Sequence, residues 1–199
     1  MAIRYGASAI GLVGKMPSGP GPIEDEQIKH IAAIVPPPIA SFLLTSETTS
    51  QAILDHHYRT HTNTLQLVDY LDHDHYGKLK QELPYVKLVQ VIHVLDEQDL
   101  DRALEVAPYV DALLLDSGNP NLSVKVLGGT GNTHNWSISR KICQQSPIPV
   151  FLAGGLKHDN VRAAMEAVEP YGLDLCSGVR TDGNLDERKL ELFFNAVNQ

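Results

Sequence analysis

The chain has 199 residues, 43 % hydrophobic and 20 % charged, with a formal net charge of −8. That is the mix of one soluble domain with a sizeable core, and the acidic balance excludes a phosphate-backbone binder, which needs clustered Lys and Arg. No apolar run reaches the ~18 residues of a membrane helix, and the N-terminus lacks the basic and apolar regions of a signal peptide.

From these features we expect a cytoplasmic protein with no nucleic-acid or membrane partner. Only Cys143 and Cys176 occur, and no CxxC pair or Cys/His cluster has zinc spacing, so no metal is expected.

In chain order, "MAIRYGA" reads as a scrap of helix running into the strand "SAIGLV", which ends at Val13. The loop "GKMPSGPGP" follows, then the helix "IEDEQIKHIAAIV", with early acidic residues and helical apolar spacing. "PPP" at 36–38 stops it. The strand "IASFLLT" leads to the helix "TSQAILDHHYRT", "TLQLV" to "DHYGKLKQEL", and "KLVQVIHV" to "DEQDLDRALEVAPY". "DALLLD" is a strand, and "NWSISRKICQQS" is a helix with Asn135 as its cap. "PVFLAGG" passes at once into the helix "KHDNVRAAMEAVEP". "LDLCSG" is the last strand and "DERKLELFFNAVNQ" the closing helix.

Seven strands, each followed by a helix, predict right-handed βαβ units, a parallel α/β sheet and one domain over residues 1–199. An open doubly wound sheet and a closed barrel both fit that alternation. The opening helical scrap reads as the tail of an eighth βα unit. The expected fold is therefore a TIM (βα)8-type barrel lacking the first strand and most of the first helix.

Ligands bind at the carboxyl ends of parallel strands. Gly154 and Gly155 lie at such an end, where glycine permits positive φ and close approach of the backbone. A lone glycine pair is more often a tight turn. The next strand, however, ends in Ser177 and Gly178, and barrels often build a phosphate site from their last two βα loops. The four residues together predict a phosphate site. Asp116 ends an apolar strand, where burial would raise its pKa and suit it to general acid work; a turn or capping role is the alternative. His93 ends another strand and could face the same mouth. The cluster "LGGTGNTHNW" lacks the ending of a nucleotide P-loop and is either a loop over the site or a surface loop.

"DALLLDS", "GGTGNTHNWS", "PVFLAGGLKHDNV" and "YGLDLCSGVRTDGNLDERKL" together resemble, in order, the carboxyl half of the phosphoribosylanthranilate isomerases. The resemblance implies a (βα)8 barrel that carries out an Amadori rearrangement in tryptophan biosynthesis, on a small phosphorylated sugar substrate and without a cofactor. It implies Asp116 as the acid, Gly154, Gly155, Ser177 and Gly178 around the phosphate, and Gly129, Thr130 and Gly131 as a substrate loop.

Two family features are missing. The family's base is a cysteine in a "KICG"-like first strand, which this sequence does not contain. The arginine that pairs with the anthranilate carboxylate is absent from "GKMPSGPGPIE", where Lys15 is the available cation, without the bidentate fork. A thiol at Cys176 could point into the barrel or into the helix layer. Alternatives are an isomerase of another phosphosugar, or a non-catalytic phosphosugar- or partner-binding barrel that associates through an exposed sheet edge.

Overall fold

The computed structural model describes residues 1–19, 21–128, 131 and 133–198. A seven-stranded parallel sheet runs in sequence order: β1 (Ala9–Val13), β2 (Ala40–Thr45), β3 (Thr64–Leu67), β4 (Lys87–His93), β5 (Ala112–Asp116), β6 (Val150–Leu152) and β7 (Gly172–Leu173). Helices α2 (Asp25–Ile34), α3 (Ser50–Thr60), α4 (His73–Glu82), α5 (Gln98–Val106), α6 (Trp136–Gln145) and α7 (Val161–Val168) connect successive strands. The short α1 (Ala2–Tyr5) packs on the closing helix α8 (Glu187–Asn198). Strands β1 and β7 are the two edges of the sheet. No helix among the described residues is long and apolar enough to cross a membrane.

Side-chain alternation along the strands produces two apolar layers. Leu113 and Leu115 of β5, with Leu88 and Ile92 of β4, pack outward against the helices. Ala112 and Leu114, with Val89 and Val91, point into the curl of the sheet. Carrying that period forward turns Asp116 and His93 into the mouth, where they pair in register. On β1, an edge strand, the alternation sends Leu12 outward into the core, whereas Ala9 and Gly11 are exposed.

Three expectations at the carboxyl end need correction. The helix after "LAGG" does not begin at once: β6 stops at Leu152 and α7 starts at Val161. Asn160 explains the delay. Its side-chain oxygen accepts from the Lys157 N–H at 2.8 Å and its amide donates to the Gly155 carbonyl at 3.0 Å, closing a turn before the helix. The last parallel strand is only Gly172–Leu173, and Ser177–Val179 forms a 3-10 turn. A small antiparallel hairpin, β8 (Arg180–Thr181) with β9 (Asn184–Leu185), precedes α8. Asp182 and Gly183 both take positive φ at its tip, as a two-residue hairpin with the right twist requires.

Candidate active site

The chemistry-bearing residues converge at the carboxyl end of the sheet. A small cavity there is lined by Asp116, Gly131, the backbone from Ala153 to Leu156, and residues 174–178. Gly154, Gly155, Ser177 and Gly178, expected to form one site, therefore do meet. Gly131 of the expected substrate loop joins them, whereas Gly129 and Thr130 lie outside the described residues.

Two of these glycines have specific reasons to be glycine. Gly154 has φ +84°, and a Cβ there would press on the His134 ring and the Ser117 side chain at 3.1 Å. At Gly178 a Cβ would fall inside the van der Waals radius of the Leu156 carbonyl oxygen, so the last two βα loops touch backbone to backbone. Gly155 and Gly178 thus border one space. The cradle is made of loops and the 3-10 turn; the N-terminus of α7 lies further along the chain.

Asp116 is 9 % exposed. Burial pushes its carboxyl pKa up, opposed by the Ser117 N–H, which donates to Oδ1 at 2.7 Å, and by the neighbouring His93 ring. The glycine-rich loop passes directly over it: a Cβ on Gly128 would collide with Asp116 Oδ2. His93 is fully buried, and its Nε2 lies 2.8 Å from the Val68 carbonyl, a contact in which that nitrogen carries the proton.

The sequence reading missed a second carboxylate. Asp174 follows β7 and lines the same cavity. Its pKa is pushed up to about 6, first by burial and then by the charge of Asp116, with the Leu175 N–H opposing. Leu173 and Leu175 pack outward on the core, so alternation turns Asp174 and Cys176 inward. Cys176 indeed lines the cavity. The pattern "LDLC" carried that signal.

His134 lies between the Gly154 turn and α6. Its Nε2 sits 2.7 Å from Ser139 Oγ on α6, and burial lowers its pKa to about 4. Asn135 caps α6 as expected, accepting from the Ser137 N–H at 3.0 Å.

Met16 and Leu127 come from two different loops. They pack on the inner apolar cluster with Val68, Phe42, Leu44 and Phe151. Beside them Lys125 pairs with Asp69, a buried carboxylate just beyond β3. Two buried or half-buried carboxyls, a glycine-lined cavity and an apolar cluster thus lie at the carboxyl end of the sheet.

Comparison with known proteins agrees with this geometry. Residues 39–196 match the family model for N-(5'-phosphoribosyl)anthranilate (PRA) isomerase. The N-(5'-phosphoribosyl)anthranilate isomerase of Methanocella arvoryzae is 32 % identical over 185 residues, spanning 93 % of this chain and 84 % of that protein. The crystal structure of the Thermotoga maritima phosphoribosylanthranilate isomerase superposes with a TM-score of 0.83 at 26 % identity, covering 100 % of this chain and 92 % of that one. Another phosphoribosylanthranilate isomerase, solved with reduced 1-(o-carboxyphenylamino)-1-deoxyribulose 5-phosphate, superposes with a TM-score of 0.80 at 24 % identity, covering 100 % of this chain and 91 % of its own.

Proposed function

The chain belongs to the N-(5'-phosphoribosyl)anthranilate isomerase family, and on that premise we propose how its barrel mouth performs the reaction. It is an intramolecular aldose–ketose isomerase of tryptophan biosynthesis, acting in the cytoplasm on N-(5'-phosphoribosyl)anthranilate. The substrate phosphate sits in the cradle of Gly154, Gly155, Ser177 and Gly178, where backbone N–H groups hold an oxyanion without a cationic side chain. Gly129, Thr130 and Gly131 belong to the loop that covers the substrate.

The chemistry then needs one proton delivered and one removed. Asp116 donates its proton to the furanose ring oxygen as the bond from that oxygen to C1 breaks. The anthranilate nitrogen lone pair fills the gap, giving an iminium. A base takes the C2 proton, the electron pair of that bond forms an enamine, and tautomerisation yields the aminoketose. We assign the base to Asp174. Two carboxylates in one cavity cannot both carry charge at low cost, which favours one member keeping its proton while the other is ionised. That Asp116 and Asp174 line one cavity beside the glycine cradle is the observation that carries the assignment.

The seven strands correspond to strands two to eight of a complete barrel, with the position of the first between β1 and β7. Packing of α1 on α8 supports that placement, because the first and last helices of a closed ring are neighbours. Turnover of N-(5'-phosphoribosyl)anthranilate, followed by anthranilate fluorescence, tests the reading. Asp116→Asn should keep the fold and the affinity for the reduced carboxyphenylamino product analogue while removing turnover. An Asn variant as fast as the parent refutes the role of Asp116.

A further inference from the structure

The carboxyphenyl group of the substrate poses a question that the glycine cradle and the two carboxylates leave open. It is a flat apolar ring carrying a full negative charge, so the mouth must supply an apolar wall and a cation next to each other. We propose that Lys125 is that cation, and that it selects for the carboxylate of the substrate; the proposal rests on the isomerase reading above.

The wall comes from Met16 on the loop after β1 and Leu127 on the loop after β5, both packed on the inner cluster. Lys125 lies two residues before Leu127 on the same loop segment. Three residues after Lys125, Gly128 presses its backbone against Asp116. Three residues of extended chain span at most about 10 Å, the scale of a carboxyphenylamino group reaching from the acid to the cation.

The segment is held on three sides. Ser18 Oγ donates to the Lys125 carbonyl at 2.5 Å, tying the two loops together. Asn119 and Val126 exchange backbone hydrogen bonds of 2.7 and 3.0 Å. The ammonium itself is fixed by Asp69, whose side chain is only 7 % exposed, while the Lys125 side chain remains 45 % exposed.

An ammonium has three donors. Asp69 engages it from the buried side, and the exposed side is left for a ligand. Holding the flexible stem in advance lowers the entropy cost of catching a carboxylate. Lys15, the cation that the sequence offers in the loop after β1, is exposed at the surface, and no buried carboxylate holds it among the described contacts.

The test is calorimetric. Reduced 1-(o-carboxyphenylamino)-1-deoxyribulose 5-phosphate is compared with its counterpart bearing phenyl in place of carboxyphenyl. The parent chain should prefer the carboxylate compound by about 10–100-fold, the range of a charge-assisted hydrogen bond. Lys125→Met should erase the preference while leaving affinity for the phenyl compound unchanged. Lys125→Arg should keep it, and Lys15→Met should not alter it. The double variant Asp69→Asn, Lys125→Met leaves no unpaired buried charge and should behave as Lys125→Met, which guards against misfolding as the cause. A parent that binds neither compound refutes the isomerase site itself. A parent that binds both equally, a Lys125→Met or double variant that keeps the preference, or a Lys15→Met variant that loses it, overturns the role of Lys125 alone.

Discussion

Replacing Asp174 with Asn should make the protein more stable and a poorer enzyme at once. In the folded chain the Asp174 pKa is pushed up to about 6, against an ordinary aspartate value near 3.9. The folded state therefore binds this proton more tightly than the unfolded chain does. At pH 7 both states are ionised, and the fold carries the cost of the buried charge. As pH falls through about 6 the folded state takes up the proton first, so that cost declines, and it is gone below the unfolded value. By linkage the full cost at pH 7 is about 3 kcal/mol; Asp174 is half-buried, and discounting for solvent halves this to about 1.5 kcal/mol. Asn keeps the shape and can still accept the Leu175 N–H, but it carries no charge. Asp174→Asn should then raise Tm by about 3–6 °C at pH 7, for a domain of this size. The gap should close as the melts are repeated toward pH 4. Turnover should drop by about 10²–10⁴-fold, the usual contribution of a positioned base. A lower Tm at pH 7, or a gap that does not narrow with acid, would refute the buried-charge argument. Unchanged turnover would move the base elsewhere in the cavity, with Cys176→Ser the next variant to assay.

Three further outcomes are expected. Gly178→Ala forces the last two βα loops apart, because its methyl meets the Leu156 carbonyl; affinity for inorganic phosphate by calorimetry should fall by at least about 10-fold, from about 1–3 kcal/mol of overpacking at the cradle. His134, with its pKa lowered to about 4 by burial, costs stability as pH falls from about 6.5 toward 4 because the unfolded chain protonates first; His134→Phe should therefore lose less stability between pH 7 and pH 5 than the parent, by about 1–2 kcal/mol in urea unfolding. Extending the N-terminus with a "KICG"-like strand should raise both Tm and turnover by pairing the open edges of β1 and β7, and no change in either would refute the placement of the seam.

The alternation of strands and helices was legible because each apolar run is short, bounded by turn residues and followed by a helical period. The first five parallel strands and the helices between them appear where "IASFLLT", "TLQLV", "KLVQVIHV" and their counterparts place them. What failed lay at the carboxyl end, where local chemistry competes with periodicity. "KHDN" has helical composition, yet the Asn160 side chain bonds back to Gly155 and Lys157 and holds the chain in a turn until Val161. "TDGN" is a hairpin signal, but the apolar residues flanking it are too few to read as strands.

The site divides along the same line. Asp116 and the glycines were legible because each lies at or just beyond the end of a parallel strand, and the fold alone says what such a position faces. Asp174 had the same address in "LDLC", but its meaning depends on a partner 58 residues earlier in the chain, and only the curl of the sheet brings the two into one cavity. The cation is further from reach still. The loop after β1 was the natural place to look for it, and the structure instead ties that loop, through Ser18, to a lysine more than 100 residues away. A charge required by the substrate need not come from the loop after β1. It needs a buried counter-charge to fix it and an apolar wall beside it, and in this barrel both lie where the loop after β5 crosses the end of β3.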